Sequence, residues 1–354
     1  MKTAKHIFDK ITDFDNLLLA AGKARKGKRY KNAAARFFIN LERELLSIQN
    51  ELMTKTYRPG RYTEFHIYEP KKRKISAAPF RDRVVHHALC NIIEPVFEKV
   101  FIYDSYANRK GKGTHRAILR YQKFCCRNRF ALKCDVEKFF PSIDHEILKQ
   151  EIHRKIADPD ALWLIDTIID GSNDQDPVYH YFAGDHLFDP FERRRGLPIG
   201  NLTSQFFANV YLNRFDHFVK ENLGCRYYIR YVDDWVILHD EKEFLHGALA
   251  QIKDYLVSFR LKVHIHKSQV FRVRDGFTFL GHRIYPDFRL LKRENVNRFK
   301  RRIKKYQGMY QQGLLSWREL KERLQSWNAH ASFSDTYHLR CKIFNEHVFT
   351  RGAA

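Results

Sequence analysis

Two apolar runs rich in β-branched and aromatic residues, Cys225 to Arg230 and Trp235 to Leu238, are separated by only Tyr231-Val232-Asp233-Asp234. The pattern reads as strand, tight turn, strand, with neighbouring carboxylates at the tip. Asp is a common turn former, so this pair by itself is compatible with plain turn chemistry. A third acid sharpens the reading. Asp135 ends the short apolar stretch Arg129 to Cys134, which reads as a buried strand and breaks into Val136-Glu137-Lys138-Phe139-Phe140-Pro141. Two-metal phosphoryl transfer needs carboxylates from separate strands converging on ions about 3.5–4 Å apart. Hard cations such as Mg²⁺ take oxygen ligands and keep substrate phosphates in their shell. Asp135 and Asp233 lie far apart in sequence and must meet in space to serve such a site.

The chain carries a formal net charge of +23 over 354 residues, which favours a polyphosphate partner and salt-dependent binding. The surplus is clustered. Lys23 to Lys31, Lys71 to Lys74 and Arg298 to Lys305 are basic runs interleaved or flanked with aromatics able to stack on bases. Residues up to about 57 read as helical, with Phe37, Phe38, Leu41, Leu45 and Leu46 on one face of a helix over Ala33 to Leu52, ended by Tyr57-Arg58-Pro59-Gly60. Short β-like runs from Thr63 to Pro79 surround a basic turn, and a helix begins at Arg81. The loop Ser105 to His115 contains glycines that let backbone approach phosphate, but no Walker motif occurs. Gly171 to Glu192 reads as an insertion, and Trp163 with its aliphatic neighbours as core. After Pro286 the composition turns basic and helical, with leucines at 314, 315, 320 and 324 suggesting three helices.

The order of motifs resembles that of reverse transcriptases from about Arg61 onward. Lys133-Cys134-Asp135 through Phe140 is similar to the first catalytic motif of that family, Arg195 to Gln205 to the motif lying against template and primer, and Tyr231 to Asp234 to the catalytic hairpin. Leu261 to Ser268 resembles the motif that follows, and Phe277-Thr278-Phe279-Leu280-Gly281-His282 the primer-grip hairpin. Most relatives in the group II intron and retron branches read Gln-Gly and Ser-Pro within the middle motif. Here Ile199-Gly200 and Ser204-Gln205 stand instead, a wording similar to reverse transcriptases of diversity-generating retroelements, as is the tail Ser326-Trp327, His330 and Thr336 to Arg340.

The resemblance implies an α+β right-hand polymerase: an N-terminal helical extension and fingers over 1–115, a palm with antiparallel sheet over 116–285 (insertion about 171–192), and a helical thumb over 286–354. It implies an RNA-directed DNA polymerase that copies a template-repeat RNA into cDNA with errors concentrated at adenines, diversifying a variable gene region. The alternatives are a retron-like or group II intron-like enzyme of ordinary fidelity, or a catalytically idle RNA-binding scaffold. By resemblance Asp135, Asp233, Asp234 and Lys267 are catalytic, the lysine as proton donor to the leaving pyrophosphate. Asp135, Val136, Asp233 and Asp234 would hold two Mg²⁺ ions, with Mn²⁺ a substitute. Lys74, Arg81, Arg109 and Phe140 would meet the dNTP, Phe140 as steric gate. Ile199, Gly200 and Gln205 would touch the template and set fidelity, and Leu280 and Gly281 would form the primer grip. Implied partners are template RNA, the RNA–DNA duplex, dNTPs and a small, basic, oligomeric accessory variability protein.

The remaining signals bound the chemistry. The six cysteines show no C-x-x-C spacing and read as reduced, mostly buried thiols. His264 and His266 sit two apart on an expected strand and are assigned no chemistry. The N-terminus lacks a secretory apolar core, and no uninterrupted apolar stretch approaches about 18 residues. The expected setting is cytoplasmic, in a prokaryote or encoded by a phage, without a ribonuclease H, HNH endonuclease or maturase extension.

Overall fold

The computed structural model describes residues 3–68 and 72–351. Of the basic turn, Lys71 lies outside the described residues, as do Met1 and Lys2 at the start. Four helices open the chain: α1 (Phe8–Thr12), α2 (Phe14–Arg25), α3 (Asn32–Ile39) and α4 (Leu41–Met53). The single helix expected over Ala33 to Leu52 is thus broken at Asn40, whose φ of −113° and ψ of 34° leave the helical region. The break divides the amphipathic face into two stripes, Ala34 with Phe37 and Leu45 with Ile48 and Leu52, each buried. Asp13 caps α2 by accepting from the Asn16 N–H.

A hairpin of β1 (Thr63–Ile67) and β2 (Arg73–Ala77) leads into α5 (Phe80–Glu98), the long helix against which α2 packs. Next come α6 (Thr114–Cys125), β3 (Phe130–Asp135), α7 (Phe139–Ser142), α8 (His145–His153), α9 (Pro159–Asp170), α10 (Asp189–Glu192), α11 (Leu202–Tyr211) and α12 (Asn213–His217). The strands β4 (Tyr227–Tyr231) and β5 (Asp234–His239), the helix α13 (Lys242–Val257) and the strand β6 (Gln269–Arg272) complete a four-stranded antiparallel sheet in the order β4-β5-β3-β6. Both faces of this sheet are covered. Leu132, Cys134, Tyr228, Trp235 and Ile237 point into the large helical core, while Ala131, Ile229, Val236 and Leu238 join a second core under α6. Side chains alternate across a strand, so burial on two faces explains why β3 and β5 read as unbroken apolar runs. The outer edge of β4 is closed by a loop: Arg230 N–H donates to the Asp104 carbonyl and Tyr106 N–H to the Arg230 carbonyl.

A three-stranded meander, β7 (Phe277–Phe279), β8 (His282–Ile284) and β9 (Arg289–Leu291), follows. Three helices, α14 (Arg293–Gln311), α15 (Trp317–Ala331) and α16 (Tyr337–Asn345), then pack on a small core of Phe299, Ile303 and Ile343. Phe299 stacks on Trp327 with ring centroids 3.7 Å apart. Because Phe299 and Ile303 are one turn apart and buried, the intervening Arg301 and Arg302, with Lys304 and Lys305, form an exposed basic face. A capping box between Ser316 and Glu319 starts α15. Leu315 and Leu320 are buried, whereas Leu314 is exposed.

All six cysteines are free, four of them buried. No helix among the described residues is long and apolar enough to cross a membrane. Between Leu261 and Ser268 the expected strand is absent. An isolated Val136–Val263 bridge is followed by a tight 3₁₀ turn over Ile265 to Lys267, because Lys267 and Ser268 N–H groups turn back onto the His264 carbonyl. The segment 171–192 has no strand; it is a loop with the one-turn α10, held by the Asp185–Arg260 ion pair at 2.7 Å.

Candidate active site

The antiparallel register of β3 and β5 sets Asp135 directly opposite Asp234, one residue beyond the pair Cys134 and Trp235. The hairpin of β4 and β5 closes with Tyr231 opposite Asp234, which leaves Val232 and Asp233 as its two-residue turn. Three carboxylates from two strands and one turn therefore converge at a single end of the sheet. Like charges directly opposed across strands are unfavourable unless something positive lies between them. Two lysines partly answer. Lys267 makes an ion pair with the Asp135 carboxylate, and Lys133, on the same strand as Asp135, lies 3.5 Å from Asp234.

Asp233 faces the mutual repulsion with less relief. Burial first, then the charges of Asp135 and Asp234, push its carboxyl up to about 7. Burial also pushes Asp234 up, against the pull of Lys133. Among the described residues no group of three or more His, Cys, Asp or Glu side chains forms a ready metal cage. Mg²⁺ rarely uses one, being held by one or two carboxylates together with water and substrate phosphates. The donors at this end of the sheet are all oxygens, and they fit such an ion. In the Val136–Val263 bridge the hydrogen bonds run from His264 N–H to the Asp135 carbonyl and from Glu137 N–H to the Lys262 carbonyl, so the Val136 carbonyl stands outside them.

Phe140 lies in α7, half-buried and edge-on to the buried Phe139, and its carbonyl accepts from the Leu197 N–H at 2.9 Å. That bond ties the segment after Asp135 to the run Arg195 to Gln205. The Gly196 N–H donates to the Ile143 carbonyl, and the Ser76 N–H to the Ile199 carbonyl at 2.9 Å. Gly200 has φ of +125°, and a Cβ there would come within 3.0 Å of Ile75. Only glycine suits that place. Asn201 then accepts from the Ala78 N–H. The motif thus bridges α7 and the β1–β2 hairpin, with Ile199 half-buried and Gln205 exposed on α11.

The basic candidates divide. Lys74 pairs with Glu64 at 2.9 Å and donates to the Asp174 carbonyl, and Arg81 pairs with Glu51 at 2.5 Å, both on side chains that keep some exposure. Arg109 is the most fully engaged of the three. All three nitrogens of its guanidinium are engaged, by the Glu98 carboxylate and the carbonyls of Ile102 and Ser105, and the side chain is 6% exposed. In this arrangement it braces its own loop. Leu280 and Gly281 form the two-residue turn of the β7–β8 hairpin, both with positive φ, and the Gly281 carbonyl accepts from the Lys292 N–H that leads into α14. Lys133, Arg230 and Asp216 went unread as site residues. A lysine two residues before the acid and on its strand is the only sequence signal that points to Lys133.

Residues 67–284 match the family described as Reverse transcriptase (RNA-dependent DNA polymerase). With that match spanning most of the chain, and with the acids gathered as above, the protein belongs to the reverse transcriptase family and is an RNA-directed DNA polymerase, a nucleotidyltransferase. It is 26% identical over 283 residues to Protein YkfC of Escherichia coli, covering 68% of this chain and 71% of that protein. It is 26% identical over 181 residues to the Group II intron-encoded protein LtrA of Lactococcus lactis, covering 50% of this chain and 28% of the relative. A Putative COX1/OXI3 intron 1 protein of Saccharomyces cerevisiae is 23% identical over 251 residues, 70% of this chain and 27% of its own. The chain therefore spans about a quarter of the length of the two intron-encoded relatives.

Proposed function

We propose that this reverse transcriptase extends a primer on RNA at the acid cluster of β3 and β5, and that it does so as the error-prone enzyme of a diversity-generating retroelement. The observation that carries the catalytic half is the cross-strand pairing of Asp135 with Asp234 beside Asp233. In this reading Asp135, Asp233, Asp234 and the Val136 carbonyl hold two Mg²⁺ ions, with Mn²⁺ as substitute. Ions held there would supply activation of the primer 3′-hydroxyl and neutralisation of the triphosphate charge. Lys267, ion-paired with Asp135, is in this reading the proton donor to departing pyrophosphate. Phe140, packed edge-on to Phe139, is in this reading the gate that bars a ribose 2′-hydroxyl. Lys74 and Arg81 exchange their present carboxylate partners for the dNTP phosphates.

The division into fingers over 1–115, palm over 116–285 and thumb over 286–354 accompanies this reading, with the exposed basic face of α14 toward the duplex backbone. Ile199 and Gln205 support the diversity-generating half, since an isoleucine offers a template nucleotide shape but no amide. A template-repeat RNA, a basic oligomeric accessory protein and a cytoplasmic prokaryotic or phage setting belong to the same proposal. The test is to copy one defined RNA in vitro and sequence the cDNA. Misincorporation concentrated opposite template adenines is the expected outcome; errors spread evenly over the four bases identify an ordinary enzyme of the intron-encoded kind.

A further inference from the structure

Behind the acid turn lies an ion pair that the chemistry above does not use. Arg230 of β4 and Asp216 of α12 are both wholly buried, joined through Nη2 to Oδ2 at 2.6 Å and Nε to Oδ1 at 2.7 Å. Tyr228 donates its hydroxyl to the same carboxylate at 2.6 Å. The remaining edge of the guanidinium turns forward. Its Nη1 donates to the Val232 carbonyl at 2.9 Å and to Asn209 Oδ1 at 3.2 Å. Asn209 belongs to α11, the helix that follows Ile199 to Asn201, and donates in turn to the Ala107 carbonyl at 2.9 Å.

A buried ion pair is a poor way to stabilise a fold, because apolar residues of similar volume serve as well or better. What distinguishes this one is the backbone it grips. Val232 is β-branched yet has φ of +57°, a region where such residues are strained by about 1–3 kcal/mol and stay only when their surroundings hold them. Val232 immediately precedes Asp233. We propose that Arg230 is a positioning residue: it fixes the strained turn so that Asp233 and Asp234 keep the spacing a divalent ion demands, and through Asn209 it locks that turn to α11. The proposal rests on reading Asp233 and Asp234 as metal ligands.

Metal ligation is sensitive to a few tenths of an ångström. A loosened turn therefore weakens the response to Mg²⁺ and the chemical step more than the grip on dNTP. Arg230→Lys keeps a charge opposite Asp216 but lacks the planar fork that reaches both Asp216 and Val232. Extension of oligo-dT on poly-rA, titrated separately with Mg²⁺ and dTTP, should show half-saturating Mg²⁺ raised about fivefold, kcat lowered about tenfold, and the dTTP KM within about twofold of wild type. Tyr228→Phe removes a hydroxyl from Asp216 without touching Val232; it should lower the melting temperature and leave the Mg²⁺ midpoint in place. If Arg230→Lys does not fold, Asn209→Ala decides, with a Mg²⁺ midpoint raised about twofold expected. An unmoved midpoint in the folded Arg230→Lys or, failing that, in Asn209→Ala overturns the proposal, as does an equal shift in Tyr228→Phe. Failure of the underlying metal-ligand reading looks different: Asp233→Asn would then extend primers normally.

Discussion

Asp233→Asn should abolish extension and at the same time make the protein harder to melt. In the folded chain the carboxyl is raised from an ordinary 3.8 to about 7 by burial and by its two acidic neighbours. Each pH unit of displacement corresponds to about 1.4 kcal/mol, so the ionised form is disfavoured by about 4 kcal/mol at most. Asp233 is only half-buried, and solvent screening brings the effect to about 2 kcal/mol. An acid whose folded value lies above its unfolded one supports the fold fully at low pH and loses that support as pH climbs through the folded value. The wild type is therefore penalised increasingly between pH 4 and 7, and the asparagine variant is not. In a chain of 354 residues, about 2 kcal/mol corresponds to a rise of about 3 °C. Thermal melts in EDTA at pH 8 should show that rise, and melts near pH 4 should show it gone. A variant that melts at or below wild type at pH 8 would refute the electrostatic account, and one that still extends primers would refute the catalytic one.

Phe140→Ala should open space beside the sugar and cut discrimination against ribonucleotides about tenfold or more, read as the ratio of kcat/KM for dTTP and UTP; an unchanged ratio moves the gate to Phe139. If residue 199 meets the template as proposed, Ile199→Gln introduces an amide there and should lower misincorporation opposite adenine about tenfold, more than opposite other bases. Sequenced cDNA with equal adenine error in both enzymes removes Ile199 from the mechanism. His86 is buried with both ring nitrogens unpartnered and is pushed down to about 3 by desolvation. A histidine held neutral in the fold favours it above pH 6.5 and ceases to as pH falls toward the depressed value, by about 1.4 kcal/mol per pH unit. Denaturant unfolding at pH 7 and pH 5 should show this loss in wild type and a smaller one in His86→Leu.

The acid-bearing strands were legible because burial on both faces leaves β3 and β5 no reason to alternate, and their apolar runs end where the carboxylates begin. The order of the motifs is enough to bring Asp135 and Asp233 to one end of the sheet. Other features are not legible in this way. The break at Asn40 is a local turn inside a pattern that stays amphipathic on both sides, so periodicity carries through it. Arg109 sits in a glycine-containing loop suited to phosphate, but its partner Glu98 ends a separate helix, and nothing in the spacing says which of them claims the other. Arg230 reads as the polar member of a strand and is wholly buried, because Asp216 arrives from α12 to neutralise it. Periodicity describes one element at a time, whereas a buried charge is decided by two.

The loop that closes the outer edge of β4 has a consequence for association. An open strand edge offers unpaired N–H and C=O groups to any other extended chain, and natural sheets commonly blunt it with a covering segment. Here the backbone groups of Arg230 that would face outward are already taken by Asp104 and Tyr106, and the same loop is anchored by Arg109 to Glu98 and by Asn209 to Ala107. Sheet extension at Arg230 by a foreign strand, whether from a second copy or from an aggregating chain, must first strip that loop away, so the edge that ends beside the acids is guarded against growth.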